Sequence, residues 1–145
     1  MLEAYYRPHH ATLTDAVARA LRPHGRCVVV DCHSFPSYPL PYELDQRLDR
    51  PDPCVGTDPF HTPAELAVEV IEGFRLNGYM SIGPFIGALV PAGFYRGDAN
   101  IAALMIEVNR ALYMDERTES SRFDETRTTA ARVPASLAQR FLQLH

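Results

Sequence analysis

The sequence predicts an α/β domain with a mostly parallel or mixed sheet flanked by helices. An amphipathic helix pattern leads directly into the strand pattern 27–31, which is apolar up to Asp31, and such apolar runs are typical of strands that are covered on both faces. A second helix pattern and a further apolar strand pattern at 103–108 follow. A chain of 145 residues has the length of one domain that buries roughly 68–70% of its unfolded surface. We therefore expect residues 1–145 to form a single domain.

The first predicted element is an amphipathic helix that begins after Pro8. Its apolar residues recur at i, i+3, i+4, i+7 and i+8, which is the spacing of one helix face; they are Leu13, Ala16, Val17, Ala20 and Leu21. Pro23 and Gly25 are typical helix terminators, so we expect the helix to end there after about three turns. The apolar strand 27–31 follows directly.

A proline-rich segment follows the first strand. Residues 35–60 contain Pro36, Pro39, Pro41, Pro51, Pro53 and Pro59. Because proline has no main-chain N–H to donate, we expect neither a helix nor a central strand in this segment. The segment is instead predicted to run as an extended loop over the strand ends, where it would form the wall or lid of a site.

The second predicted helix begins at a capping-box signature, Thr62-Pro63-Ala64-Glu65, with proline at the first helical position. Its apolar face contains Leu66, Val70 and Phe74, and Asn77-Gly78 is expected to end it.

A short strand at 79–82, a loop or irregular hairpin at 83–97 and the strand 103–108 come next. After Pro134, the last predicted element is a closing helix with the apolar residues Leu137, Phe141 and Leu144.

Composition excludes several classes of partner. The net charge is -4, from 14 basic and 18 acidic residues, and no basic block or aromatic–basic alternation suggests nucleic acid. No apolar run approaches the ~18 residues that span a bilayer, and residues 1–6 lack the basic and apolar parts of a signal peptide. We therefore expect no nucleic acid or membrane partner and a cytoplasmic location.

The three cysteines lack C-x-x-C spacing, so reduced thiols are expected.

The end of the first strand is the first candidate site. The apolar run 28–30 ends abruptly in Asp31, Cys32, His33 and Ser34, and ligands bind at the carboxyl ends of strands in open α/β sheets. The strand period of two puts Asp31 and His33 on one side and Cys32 on the other. Asp31 could therefore orient His33 toward a metal, whereas Cys32 cannot form a dyad with its neighbour. The alternative is that His33 caps the strand by bonding to a backbone carbonyl.

The second candidate is Glu107, a carboxylate within an otherwise apolar strand. It shares one face with Met105 and Asn109, and the opposite face is expected to belong to the core. A carboxylate held there can act as general base toward a metal-bound water. The alternative is a buried ion pair with Arg110 or Arg7.

Arg110 follows the same strand and is a candidate for substrate binding. A guanidinium can bind a substrate carboxylate through two parallel hydrogen bonds. The alternative is that Arg110 is a solvated surface group.

Taken together, four motifs in order resemble the N-formylglutamate amidohydrolase family, over about residues 5–116. The motifs are Tyr6-Arg7-Pro8-His9-His10, Val30-Asp31-Cys32-His33-Ser34, Pro84-Phe85-Ile86-Gly87 and Met105-Ile106-Glu107-Val108-Asn109-Arg110-Ala111-Leu112-Tyr113-Met114-Asp115-Glu116. The resemblance implies a zinc-carboxypeptidase-like fold, of the phosphorylase/hydrolase-like type. It also implies hydrolysis of the formyl amide of an acidic amino acid, a step associated with histidine breakdown. The implied cofactor is zinc, and the implied small-molecule substrate is an N-acyl acidic amino acid.

The resemblance also implies a role for each candidate residue. By analogy, His33 is a zinc ligand, Glu107 is the catalytic carboxylate and Arg110 binds substrate. Members of the family have an upstream portion with a His-Ser-Gly strand end and an acidic residue, which supply the first two zinc ligands. We expect this chain to begin after that portion and its fold to be incomplete at the amino terminus.

An incomplete domain would have two consequences. A catalytic zinc typically uses three protein ligands and a water, so we expect a chain that contributes only His33 to bind zinc weakly. Two functions are then open. The chain is a zinc-dependent amidohydrolase, as the family resemblance implies, or alternatively a truncated, non-catalytic remnant that acts as a binding module. An incomplete sheet also leaves a strand edge exposed, which favours self-association.

Overall fold

The computed structural model describes residues 1–116 and residues 124, 127–128, 131–133 and 139. The elements in chain order are a short π-helix (Leu2–Tyr6), α1 (Arg7–His24), β1 (Cys27–Phe35), β2 (Pro53–Thr57), α2 (Ala64–Leu76), β3 (Gly83–Ile86), β4 (Ile101–Asn109) and a 3-10 turn (Arg110–Leu112). No helix in this part of the chain has the length and apolar character needed to cross a membrane.

The four strands form one mixed sheet in the order β1-β4-β2-β3. β1 and β4 are parallel, with Cys27 opposite Ile101 at one end and Phe35 opposite Asn109 at the other. β2 runs antiparallel to β4 and parallel to β3. The carboxyl ends of β1 and β4 therefore lie at the same edge of the sheet as the amino ends of β2 and β3. The predicted α/β class with a mixed sheet is confirmed.

The two faces of the sheet pack against different helices. Helix α2 covers one face and buries a cluster that consists of Val55, Leu66, Val70, Phe74, Ala102, Leu104, Ile106 and Val133. Helix α1 covers the first half of the opposite face, where the cluster consists of Val17, Cys27, Val29, Val90, Ile101 and Ala103. The second half of that face, toward the carboxyl ends of β1 and β4, has no helix from the described residues packed on it.

Helix α1 confirms the first predicted helix, with a longer extent. It runs for 18 residues and continues through Pro23 to His24. Gly25 then ends it with a φ of 66°, a left-handed conformation that glycine adopts without strain. The Gly25 N–H donates to the Leu21 carbonyl at 2.7 Å. β1 is also longer than the predicted strand 27–31, because its ladder with β4 continues through the polar residues to Phe35.

The proline-rich segment contains a central strand. The prediction that it holds no central strand is therefore wrong. β2 lies between β4 and β3. Pro53 is its first residue, a position at which a strand tolerates the missing N–H. At Gly56 an added Cβ would lie 2.6 Å from the Gly87 carbonyl oxygen and 2.9 Å from the Met105 Cβ. Only glycine therefore fits this close approach of β2 to its neighbours.

Two further predicted elements differ in detail. The strand predicted at 79–82 lies instead at Gly83–Ile86, where Pro84 is accommodated because β3 is an edge strand of the described sheet. Helix α2 forms where predicted, but it begins at Ala64 with Pro63 as its N-cap, so proline is not its first helical residue. The predicted capping box does not form, since the Thr62 hydroxyl donates to the Ala103 carbonyl at 2.6 Å. The predicted closing helix after Pro134 lies outside the described residues.

A buried polar network connects the start of β4 to the loops around it. His61 is 1% exposed; its Nδ1 lies 2.8 Å from the Ile101 carbonyl oxygen, and its Nε2 accepts from the Arg96 N–H at 2.8 Å. Asp58 accepts from the backbone N–H groups of Phe60 and His61, each at 2.9 Å. Burial acts to raise the pKa of Asp58, but these hydrogen bonds, a further one from the Tyr95 hydroxyl and the His61 charge together outweigh it and the pKa is lowered.

We expect His61→Ala to lower the free energy of unfolding by about 2–4 kcal/mol, because it removes the partners of the buried Ile101 carbonyl and of the Arg96 N–H and opens a cavity. Urea unfolding followed by circular dichroism measures this. His24→Ala is the control: His24 is exposed at the end of α1, and the change should be within about 0.5 kcal/mol. Equal stability of the two variants would contradict a structural role for the His61 network.

Candidate functional site

The strand register brings the two main candidate residues together. His33 on β1 is the direct partner of Glu107 on β4, and Glu107 is also the partner of Cys54 on β2. Cys54 is in turn opposite Gly83 on β3. Neighbouring strands are about 4.8 Å apart and directly opposed residues point to the same face. The four residues therefore form a row across the half of the sheet that α1 leaves uncovered.

Asp31 holds the His33 ring, as the strand period predicted. The His33 Nε2 lies 2.9 Å from the Asp31 Oδ1, and the side chains are 52% and 20% exposed, respectively. The partner of Nε2 is thus a side-chain carboxylate and not the backbone carbonyl of the alternative interpretation. Because Nε2 faces the carboxylate, Nδ1 is the nitrogen left for a metal or another ligand.

Glu107 is half-buried and forms no ion pair within the described part of the chain. The two arginines considered as its partners are bound elsewhere: Arg110 to Glu116 at 3.3 Å and Arg7 to Glu3 at 2.7 Å. The ion-pair alternative for Glu107 is therefore wrong for both. A carboxylate without such a partner keeps its lone pairs available for a proton, as a general base requires.

A cavity of about 540 Å³ opens beside Glu107. Glu107 and Cys54 line it from the sheet, and residues of 81–85 line it around β3. Its remaining wall comes from the proline-rich segment, through Phe35, Glu43, Asp45, Arg47, Asp49, Arg50 and Pro51. This segment thus forms the wall that its sequence predicted.

The cysteines near the site are unsuited to nucleophilic attack. Burial raises the pKa of the Cys54 thiol, the Glu107 charge adds to this rise and the Arg50 charge opposes it. For Cys32, burial and the Asp31 charge both raise the pKa. Because the thiolate is the nucleophilic form, both groups remain poor nucleophiles at neutral pH. The strand period also points Cys32 to the sheet face opposite His33.

Arg110, predicted to bind substrate, does not line the cavity. Its Nη1 donates to Glu116 at 3.3 Å and its Nε donates to the Ser34 hydroxyl at 3.4 Å. Glu116 also accepts from the Ser37 N–H at 2.8 Å. Arg110 thus connects the residues after β4 to the end of β1. Arg47 and Arg50 line the cavity instead. The sequence does not reveal them, because an irregular segment has no period that predicts which side chains face inward.

The described residues do not fit a complete zinc site. Among them, no group of three or more histidine, cysteine, aspartate or glutamate side chains is placed to hold a metal ion. A catalytic zinc typically has three protein ligands, and His33 can supply one. Any further donors would have to come from outside the described residues.

Comparison with known proteins places this arrangement in a family. Residues 1–114 match the family model for N-formylglutamate amidohydrolase. Among solved structures, the chain resembles the crystal structure of N-formylglutamate amidohydrolase from Ralstonia eutropha JMP134, at 26% identity and a TM-score of 0.68. The match covers 99% of this chain and 53% of that one, so the chain spans about half the length of this relative. No curated protein sequence matches. The family match nevertheless covers most of the chain, which therefore belongs to the N-formylglutamate amidohydrolase family.

Proposed function

We propose that this chain hydrolyses the formyl amide of N-formyl-L-glutamate, or of a related N-acyl amino acid, and releases formate and the free amino acid. The observation that carries the proposal is the register pairing of His33 with Glu107 at the carboxyl ends of two parallel strands. This pair lies on the open half of the sheet, and a cavity adjoins Glu107. The family match supports the reaction type.

Glu107 is the residue we assign to proton transfer. Its carboxylate takes a proton from a water molecule as the water oxygen attacks the formyl carbon. When the C–N bond breaks, the same proton passes from Glu107 to the leaving amine nitrogen. The absence of an ion-pair partner among the described residues leaves the carboxylate free to gain and lose this proton. The products are the free amine and formic acid, which gives its remaining proton to solvent and leaves as formate, and no covalent enzyme intermediate forms.

Zinc dependence is part of the proposal, with His33 as one ligand. The support is its hydrogen bond to Asp31, the kind of contact that fixes the ring of a metal-binding histidine. Because the described residues lack a set of three donors, His33 alone would bind zinc weakly. We also propose that the reaction serves histidine breakdown, as the family resemblance implies.

A second candidate function is a non-catalytic binding module. The incomplete donor set among the described residues favours it, because the cavity and its charged wall are built from side chains that need no metal to hold them. This candidate retains ligand binding at the cavity and predicts no formate release.

Glu107→Gln tests the catalytic proposal, since the amide cannot accept the proton. We expect the rate of formate release from N-formyl-L-glutamate, measured with added zinc, to fall by about 10²–10⁴-fold, with unchanged circular dichroism.

Glu72→Gln is the matched control for this substitution. Glu72 pairs with Arg75 on the exposed surface of α2 at 2.6 Å and should leave the rate unchanged. Undiminished formate release in Glu107→Gln would contradict the assignment. No release by the unmodified chain would favour the binding module.

Metal analysis tests the role of His33. We expect the 145-residue chain, purified without chelator, to retain well under one zinc per chain, because the one imidazole that the described residues place for it cannot define a tetrahedral site. His33→Ala should abolish this residual binding, whereas Glu107→Gln and His24→Ala should preserve it. Stoichiometric zinc that survives in His33→Ala would show that other residues hold the metal.

A further inference from the structure

We propose that Arg50, and not Arg110, binds a carboxylate of the N-acyl amino acid. This inference rests on the proposed function, because it concerns the same cavity. It names the residue that would confer the preference for an acidic substrate, and four features of the cavity support it.

The first feature is position. Arg50 lines the same cavity as Glu107 and Cys54. The charges of Glu107 and Arg50 act on the Cys54 thiol in opposite directions, so both groups lie within electrostatic range of it. A ligand whose reacting amide is next to Glu107 therefore has a guanidinium within the same enclosure.

The second feature is that the guanidinium is held in place before any ligand arrives. Its Nη2 lies 2.9 Å from the Glu43 carboxylate, and the Arg50 side chain is only 16% exposed. Its Cζ is 5.0 Å from the centre of the Phe35 ring, in a cation–π contact. Glu43 is anchored in turn, since its Oε1 accepts from the Leu40 N–H at 3.0 Å. Pre-organisation of this kind lowers the entropic cost of binding.

The third feature is an unused donor. Arg50 Nη1 is buried and has no hydrogen-bond acceptor among the described residues. An unsatisfied buried donor costs about 1–3 kcal/mol, and more when it is charged, so buried donors of this kind call for a partner. A carboxylate suits the planar guanidinium fork because it accepts two parallel hydrogen bonds.

The fourth feature is the contrast with the other arginines near the site. Arg47 also lines the cavity, but its side chain is 77% exposed and its Nε and Nη2 both donate to Asp45, the latter at 2.7 Å. Arg110 is engaged with Glu116 and Ser34 outside the cavity. Arg50 therefore combines burial, a fixed orientation and a free donor.

Nη1 is closed off from solvent in this structure, so the proposal requires residues 44–49 of the wall to move outward while Arg50 keeps its contacts with Glu43 and Phe35. The wall residues between Glu43 and Arg50 are exposed, and Leu44 has 103% relative exposure. These side chains bury little surface, so a small displacement of this segment loses few contacts.

The test compares ligands that differ by one charge. Binding of N-formyl-L-glutamate, N-formyl-L-glutamine and the α-amide of N-formyl-L-glutamate is measured by calorimetry in the Glu107→Gln background, where turnover does not interfere. The two amides show which carboxylate Arg50 binds. We expect Arg50→Gln to weaken N-formyl-L-glutamate binding by about 10- to 100-fold, and to leave unchanged the affinity for the amide that lacks the bound carboxylate. Arg50→Lys, which keeps the charge and loses the fork, should give an intermediate loss.

Arg75→Gln is the control, since Arg75 is an ion-paired arginine on the surface of α2 and should change no affinity. An equal loss for all three ligands, or a selectivity loss in Arg110→Gln and none in Arg50→Gln, would overturn the inference. A Glu107→Gln chain with all its arginines intact that does not bind N-formyl-L-glutamate would also overturn the inference. Arg50-dependent binding without formate release from the unmodified chain would instead overturn the catalytic proposal alone. Formate release with Arg50-independent selectivity would overturn this inference alone.

Discussion

The parallel pairing of β1 with β4 is the constraint on which the site depends. Its register places His33 opposite Glu107, and a slip of one residue would move every side chain of one strand to the other face. Packing prevents such a slip, because Leu104 and Ile106 must lie against α2 while Ile101 and Ala103 lie in the α1 cluster. The apolar half of the ladder thus fixes the position of the polar half, which no helix of the described chain covers.

The cavity beside this ladder contains several charges, and they are unequally neutralised. Glu43 and Asp45 each pair with an arginine on the same wall, whereas Glu107 has no ion-pair partner in the part of the chain that is described. Glu107 and Arg50 both lie close enough to Cys54 for their charges to shift the pKa of its thiol, in opposite directions. A carboxylate and a fixed guanidinium in one enclosure match the proposed substrate, an N-acyl acidic amino acid, which presents both an amide and carboxylates.

The sequence by itself determined much of the fold and the two residues of the catalytic hypothesis, His33 and Glu107. Helical spacing located α1 and α2, and apolar runs located β1 and β4, because these patterns arise from burying one face or both. The strand period predicted that Asp31 would hold His33 and that Glu107 would lie on the face opposite Leu104 and Ile106. The motif order led to the family that the comparison confirms.

Tertiary structure alone decided what depends on contacts distant in sequence. β2 is central although it begins with Pro53, because its place between β4 and β3 results from pairing and not from local propensity. Thr62 bonds to the Ala103 carbonyl instead of capping α2, and Arg110 bonds to Glu116 instead of facing the cavity. Arg50 could not be found from sequence, since an irregular segment carries no period. Only the folded wall shows which of its side chains are buried and which donor lacks an acceptor.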